Sequence, residues 1–496
     1  MAVKVDTQKE IIFGSSDPNI SRVISKKKKD GELRKLAPRI YTTNLIDSPA
    51  NIVRRNLIEI LAYRYPNALI SHRSAKEMRP TSTGDFFLTN STTRRVTDLP
   101  GIILNFVKGP KATAHDIPFM GMHISGEHRY MLENMQLSRK SGDESRVLPI
   151  SVIENKLEQL LLTGGEERLN QYRDELREVA NELGMADEFS KINNIISALL
   201  STHDARVLST DSAKARASGN PFDANRVGLF EILFDTIKDR YFVIRNNRNT
   251  DEDSFRLFSF FESYFSNYIE GTEFDIEEAK EIVDSGIPMP RRDEDSHDIL
   301  GTFKILSNRT EMRRVPTSPE ELFAILSHRH TILLEGRPHM NPGVFKMRNS
   351  RAGQTEFVDY QLVKGTLSQG FKYYSALTDP FARAIFMMFM ISEVHPFNDG
   401  NGRIARVMMN AEFVRADQSR IIVPTVFRED YILALRKLTR HKDPMAYINV
   451  MTKLHQFSDN LYGTDFTELK NYLAACNAYE EPSQAKLQII DRSIRH

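Results

Sequence analysis

The chain has one cysteine, Cys476, in 496 residues. An internal disulfide framework is excluded, and a reducing compartment is expected. No apolar run approaches the ~20 residues that a membrane helix needs. The first residues lack the apolar core of a secretory signal. Net charge is nearly absent: 67 Lys+Arg stand against 66 Asp+Glu, a formal +1, so bulk charge names no partner. Internal repeats and long low-complexity tracts are missing too. Together these absences lead us to expect a soluble cytoplasmic protein with no membrane partner, and the length suggests about three domains.

What is present is concentrated in residues 395–406, His395-Pro396-Phe397-Asn398-Asp399-Gly400-Asn401-Gly402-Arg403-Ile404-Ala405-Arg406. The flanks place this stretch between two helices. Upstream, Asp379-Pro380 is an N-cap followed by Pro at the first helical position, and the apolar run 381–391 marks a buried helix. Downstream, 403–416 reads as a second helix. A Gly-rich turn feeding a helix N-terminus lets free N–H groups approach an anion. Arg403 and Arg406, three apart, share a face and can grip a phosphate. Asp399 is a hard oxygen ligand of the kind Mg²⁺ takes, and His395 can accept a proton near neutral pH. Singly, each residue has an ordinary explanation as a structural His, a turn or a solvated Arg. The joint spacing is what carries the chemistry.

These residues resemble the signature of Fic-domain proteins, His-Pro-Phe-x-(Asp/Glu)-Gly-Asn-Gly-Arg-x-x-Arg, at every fixed position. The resemblance implies transfer of AMP from ATP, with Mg²⁺, to a hydroxyl side chain of a protein target. It implies His395 as the base and Asp399 as the metal ligand. Gly400, Asn401, Gly402 and Arg403 would hold the α- and β-phosphates, Arg406 the γ-phosphate, and Phe397 would anchor the loop. The related Doc-type kinases carry Lys where this chain has Gly402. After Tyr431 the family often places Asn near the adenine, where this chain has Thr439.

Far upstream, Ser266-Asn267-Tyr268-Ile269-Glu270-Gly271 is similar to the Fic inhibitory pattern (Ser/Thr)-x-x-x-Glu-(Gly/Asn). It closes an aromatic-rich helix expected over 254–269, with Gly271 as its stop. The resemblance implies that Glu270 sets its carboxylate against Arg406. A third element, 342–363, reads as a hairpin around Arg351-Ala352-Gly353. It resembles the Fic flap, which would lay Ser350, Arg351, Ala352 and Gly353 over the nucleotide and hold the target by strand addition.

The expected division is 1–57, a basic module; 58–150, a mixed α/β domain; 151–224, a helical connector; 225–460, the Fic domain with its inhibitory helix at 254–271; and 461–496, a helical tail. The expected fold class is mainly α, an all-helical core with a flap β-hairpin behind a small α/β front. In residues 1–57, Lys26-Lys27-Lys28-Lys29, Arg34, Lys35 and Arg39 follow a helix–turn–ribbon order. This resembles a winged-helix module of the AbiEi antitoxin type and implies duplex DNA as a partner through phosphate contacts. A solvated basic face explains the same residues equally well. Two further functions fit the motifs: removal of AMP from modified proteins, and a DNA-binding regulator whose Fic core senses nucleotide.

Overall fold

The computed structural model describes residues 9–200, 205–289, 292–352 and 355–492. The chain divides into two compact units, Met1–Ser218 and Gly219–His496. The architecture is mainly helical, with its larger sheets confined to the first unit.

In the first unit β1 (Ile11–Phe13), β2 (Arg34–Ala37) and β3 (Ile40–Thr42) form a small antiparallel sheet in the order β1-β3-β2. The helix Pro18–Lys29 lies between β1 and β2. Asp17 caps it by accepting from Asn19 N–H, and its last turn is Lys26–Lys29, where cations complement the helix dipole. A six-stranded sheet follows, from β4 (Leu69–Ile70), β5 (Asp85–Asn90), β6 (Arg94–Leu99), β7 (Ile102–Lys108), β8 (Ile117–Phe119) and β9 (Met122–Ile124), in the order β6-β7-β5-β4-β9-β8. Central β5 is buried on both faces, whereas β7 alternates, as its Ile-Ile-Leu-Asn-Phe-Val pattern requires. One apolar core joins residues of the small sheet, such as Ile40, to Phe86 and Leu104 of the larger one.

The helical connector expected from 151 opens with one long element, Ile150–Leu183, broken at Gly165 (φ 68°, ψ −170°). That backbone conformation suits glycine and costs other residues strain. Leu157, Leu169 and Leu176 bury one stripe of it against the helix Ala186–Leu199.

The second unit is a helical assembly around two antiparallel neighbours, Pro380–Val394 and Asn401–Arg415. Asp379 caps the first by accepting from Ala382 N–H. Its apolar residues are buried all round, from Phe381 to Val394. The expected aromatic helix runs Glu252–Ile269, and Gly271 follows with φ 93°. The flap contains a two-residue pairing, β10 (Arg351–Ala352) with β11 (Thr355–Glu356). Arg351 and Ala352 are therefore strand residues, and Gly353 lies outside the described residues. No helix among the described residues is long and apolar enough to cross a membrane.

Candidate active site

The loop from His395 to Gly402 joins the two central helices, and it is built to hold one shape. His395 ends the first helix in the left-handed region (φ 52°), its N–H still bonded to Ile391 O at 2.9 Å. A non-glycine residue there is uncommon and needs support from its surroundings. The ring of Phe357 supplies it, stacked on the His395 imidazole with centroids 3.6 Å apart and planes 7° apart. Gly400 opens the second helix at φ 72°, where a Cβ would sit 2.9 Å from Leu333. The Asn401 side chain clamps the loop from inside: Oδ1 accepts from Phe397 N–H and Nδ2 donates to Phe397 O, both at 2.9 Å. What Asn401, Gly402 and Arg403 offer an anion here is the unpaired N–H set of a helix first turn.

Phe397 is fully buried and stacks on His330 at 3.7 Å. His330 Nδ1 accepts from Gly343 N–H, and Nε2–H donates to Asp399 O, each at 2.9 Å. One neutral imidazole thus ties the base of the flap to the motif loop. Burial pushes the pKa of His330 down to about 4, in keeping with that uncharged role.

Burial also pushes His395 down to about 4, so it is neutral at pH 7. Its Nδ1 faces Ser392 O at 3.4 Å. Proton on Nδ1 leaves a lone pair on Nε2. Arg403 is held by Asp298 at 2.7 Å and lies 3.4 Å from Asp399. Asp298 also takes Arg337 at 2.8 Å. The buried Arg403 Nε has no hydrogen-bond partner among the described residues. Arg406 donates to Ser266 Oγ at 2.9 Å, to Ser266 O at 2.8 Å and to Glu270 Oε1 at 2.7 Å. Burial opposes its charge and Glu270 favours it, and the net pKa lies above the ordinary value.

A cavity of about 240 Å³ brings His395, Glu270, Gly402 and Arg406 together with Phe357, Tyr431, Leu435 and Thr439. A Cβ on Gly402 would fall 2.1 Å from Glu270 Oε1, so glycine makes room for that carboxylate. Ser350 lies on the flap, where its Oγ takes Lys346 Nζ at 3.0 Å. Arg351 is exposed.

Among the described residues no group of three or more His, Cys, Asp or Glu is placed to hold a metal. The half-exposed Asp399 carboxylate is a single hard ligand. That fits an ion such as Mg²⁺, which keeps several waters and takes most other ligands from a substrate's phosphates.

Sequence reasoning missed Phe357, His330 and Asp298. Each acts by stacking or pairing across the fold, and no local spacing flags it. Glu393 was also missed. It is a buried carboxylate in the cavity wall, hydrogen-bonded by Thr439 and Arg226, and burial raises its pKa.

Residues 318–412 match the model of the Fic/DOC family. The chain is 30% identical over 115 residues to protein adenylyltransferase fic-1 of Caenorhabditis elegans, covering 23% of this chain and 22% of that protein. It is 24% identical over 214 residues to protein adenylyltransferase Fic of Nematostella vectensis, covering 40% and 47%. It therefore spans less than half the length of these curated relatives. A solved structure of Fic-1 from C. elegans aligns with a TM-score of 0.36 at 16% identity, over 66% of this chain and 92% of that one. The second unit carries a Fic domain.

Proposed function

We propose that this Fic-domain chain is a protein adenylyltransferase that moves AMP from ATP to a Ser, Thr or Tyr hydroxyl of a target protein and is restrained by its own Glu270. The observation that carries the reading is the Glu270–Arg406 pair, 2.7 Å apart, inside the cavity that also holds His395. A carboxylate occupying the arginine that faces a phosphate site is an anion standing where a substrate anion would go.

In this mechanism the triphosphate lies along the first turn of the helix Asn401–Arg415. The N–H groups of 401–403 face the α- and β-phosphates, and Arg406, once released by Glu270, takes the γ-phosphate. Asp399 would hold Mg²⁺, which supplies charge neutralisation to the phosphates when bound. His395 accepts the proton of the target hydroxyl at Nε2. The freed oxygen forms a bond to the α-phosphorus, the bond from that phosphorus to the α–β bridging oxygen breaks, and pyrophosphate leaves. The stacking of Phe357 on His395 fixes the ring's aim, so positioning and charge do most of the work.

Labelling with α-³²P-ATP tests the reading. Glu270→Gly should label itself or a target more strongly than the native chain, and His395→Ala should not label. A Glu270→Gly chain that hydrolyses or binds ATP yet transfers no label to any protein would overturn it. A separate role for residues 1–57 in duplex DNA binding is supported by the exposure of Lys26, Lys28 and Lys29 on one helix end.

A further inference from the structure

Among the described residues each buried arginine pairs with a carboxylate. Arg73 holds Glu77 at 2.9 Å, Arg129 holds Asp116 at 2.8 Å, and Arg329 holds Glu311 at 3.0 Å. Arg403 holds Asp298, Arg406 holds Glu270, and Arg420 holds Glu262, at 2.7, 2.7 and 2.9 Å. Lys346 is the exception. It is 3% exposed, and among the described residues no ion pair includes it. Its Nζ donates to the neutral Ser350 Oγ at 3.0 Å. Asp359, whose charge it feels, is occupied by Asn349 Nδ2 and Gln361 N–H. A buried ammonium without a counter-charge is costly unless something anionic completes it, and burial accordingly pushes this lysine down to about 8.

Lys346 stands between two openings, with its Nζ 6.0 Å from the centre of the Phe357 ring that stacks on His395. Lys346 N–H donates to Pro396 O at 2.8 Å, so it lies beside the residue that follows His395. It does not line the cavity that holds Arg406. It lines a separate groove of about 690 Å³ with Phe323, Val344 and Phe345, and with Lys364 at its edge. Lys364 is exposed and pairs with no carboxylate among the described residues. No Asp or Glu lines this groove. Apolar walls, two lysines and no acid suit an acidic chain segment.

We propose that this groove takes an extended segment of the target protein carrying an acidic side chain next to the acceptor hydroxyl, with that carboxylate completing Lys346 and Lys364 steering the segment in. The choice of target segment rests on the adenylyltransferase reading. The acidic preference of the groove does not.

The test uses the full chain carrying Glu270→Gly and two short fluorescent peptides, each with a central Thr in a Gly/Ser host, one flanked by Asp and the other by Asn. Without ATP, fluorescence anisotropy should show the Asp peptide binding at least about tenfold tighter, as expected for a buried charge pair made or lost. Lys346→Met should abolish the difference, Lys346→Arg should keep part of it, and Lys364→Met should reduce it. ATP affinity, read by calorimetry, should be the same in Lys346→Met as in its parent. Equal binding of the two peptides, or a preference that survives Lys346→Met in a chain with an unchanged melting temperature, overturns the proposal. So does a loss of ATP affinity in Lys346→Met, which would assign the ammonium to the nucleotide. Adding α-³²P-ATP separates the two readings: an acidic preference in binding with no transfer to either peptide or to the chain itself strikes the adenylyltransferase reading and leaves the groove standing.

Discussion

Replacing Glu270 with Gly should make the free protein less stable and its nucleotide site better. In the native chain Arg406 is 5% exposed, and its charge is met by Glu270 at 2.7 Å, with the Ser266 hydroxyl and carbonyl as neutral partners. Breaking a buried pair by removing one partner costs about 3–5 kcal/mol. The Glu270 side chain is 35% exposed, so solvent screens part of that, and about 2 kcal/mol is a fairer figure. Removing a side chain from the helix end beside Gly271 adds little. The melting temperature without ligand should therefore fall by several degrees. If ATP binds as proposed it has to break the same pair, so its removal should raise affinity by about 30-fold, at roughly 1.4 kcal/mol per factor of ten. The ATP-induced rise in melting temperature should grow in the variant, and α-³²P-ATP labelling should increase by an order of magnitude or more. Adding Arg406→Ala should remove much of the gain in labelling if the freed guanidinium takes the triphosphate as proposed. A variant that melts with the native chain, binds ATP no better and labels no more strongly would refute the reasoning.

Three other outcomes follow from the same geometry. His395→Ala should lower transfer by about 10²- to 10⁴-fold while leaving ATP affinity near native; labelling at the native rate would remove His395 as base. Because His395 sits at about 4, a base role in its neutral form keeps kcat/KM level between about pH 5.5 and 7.5, with a fall only as acid approaches that lower value. An acid limb centred near the ordinary histidine value of about 6.5 would contradict the burial effect. If the helix Pro18–Lys29 contacts duplex DNA, affinity should drop with salt at a slope of about −0.9 per neutralised phosphate, and a gel shift at low salt should be lost when Lys26, Lys28 and Lys29 become Gln; no shift at low salt leaves these lysines as a solvated helix end.

Much of the stretch 395–406 could be read along the chain because its parts are close in sequence. His395, Asp399, Gly400 and Arg403 fall within nine residues, and the loop between two helices follows from Asp379-Pro380, from the apolar run after it and from the glycines at the turn. The helix Glu252–Ile269 was legible for a similar reason: its aromatic residues and its stop at Gly271 are local signals. In the first unit the apolar runs 85–89 and 102–107 carry a strand pattern local to each, whereas the order β6-β7-β5-β4-β9-β8 has no such signal, since pairing partners are chosen by packing rather than by local preference.

The amino-acid sequence by itself determined the elements, their caps and the chemical types gathered at 395–406, because backbone hydrogen bonding and side-chain period act over a few residues. Only the tertiary structure decided which charges meet. Glu270 reaches Arg406 across 136 residues of chain, and Asp298, from far upstream, holds Arg403 at 2.7 Å, closer than the motif's own Asp399 at 3.4 Å. Phe357 aims His395 from the flap, and His330 joins Gly343 to Asp399. Such contacts carry no periodic signature, for they depend on how whole helices pack. Among the described residues the same packing pairs each buried arginine with a carboxylate and leaves Lys346 with none. Burial makes that difference costly, and burial exists only once the chain has folded.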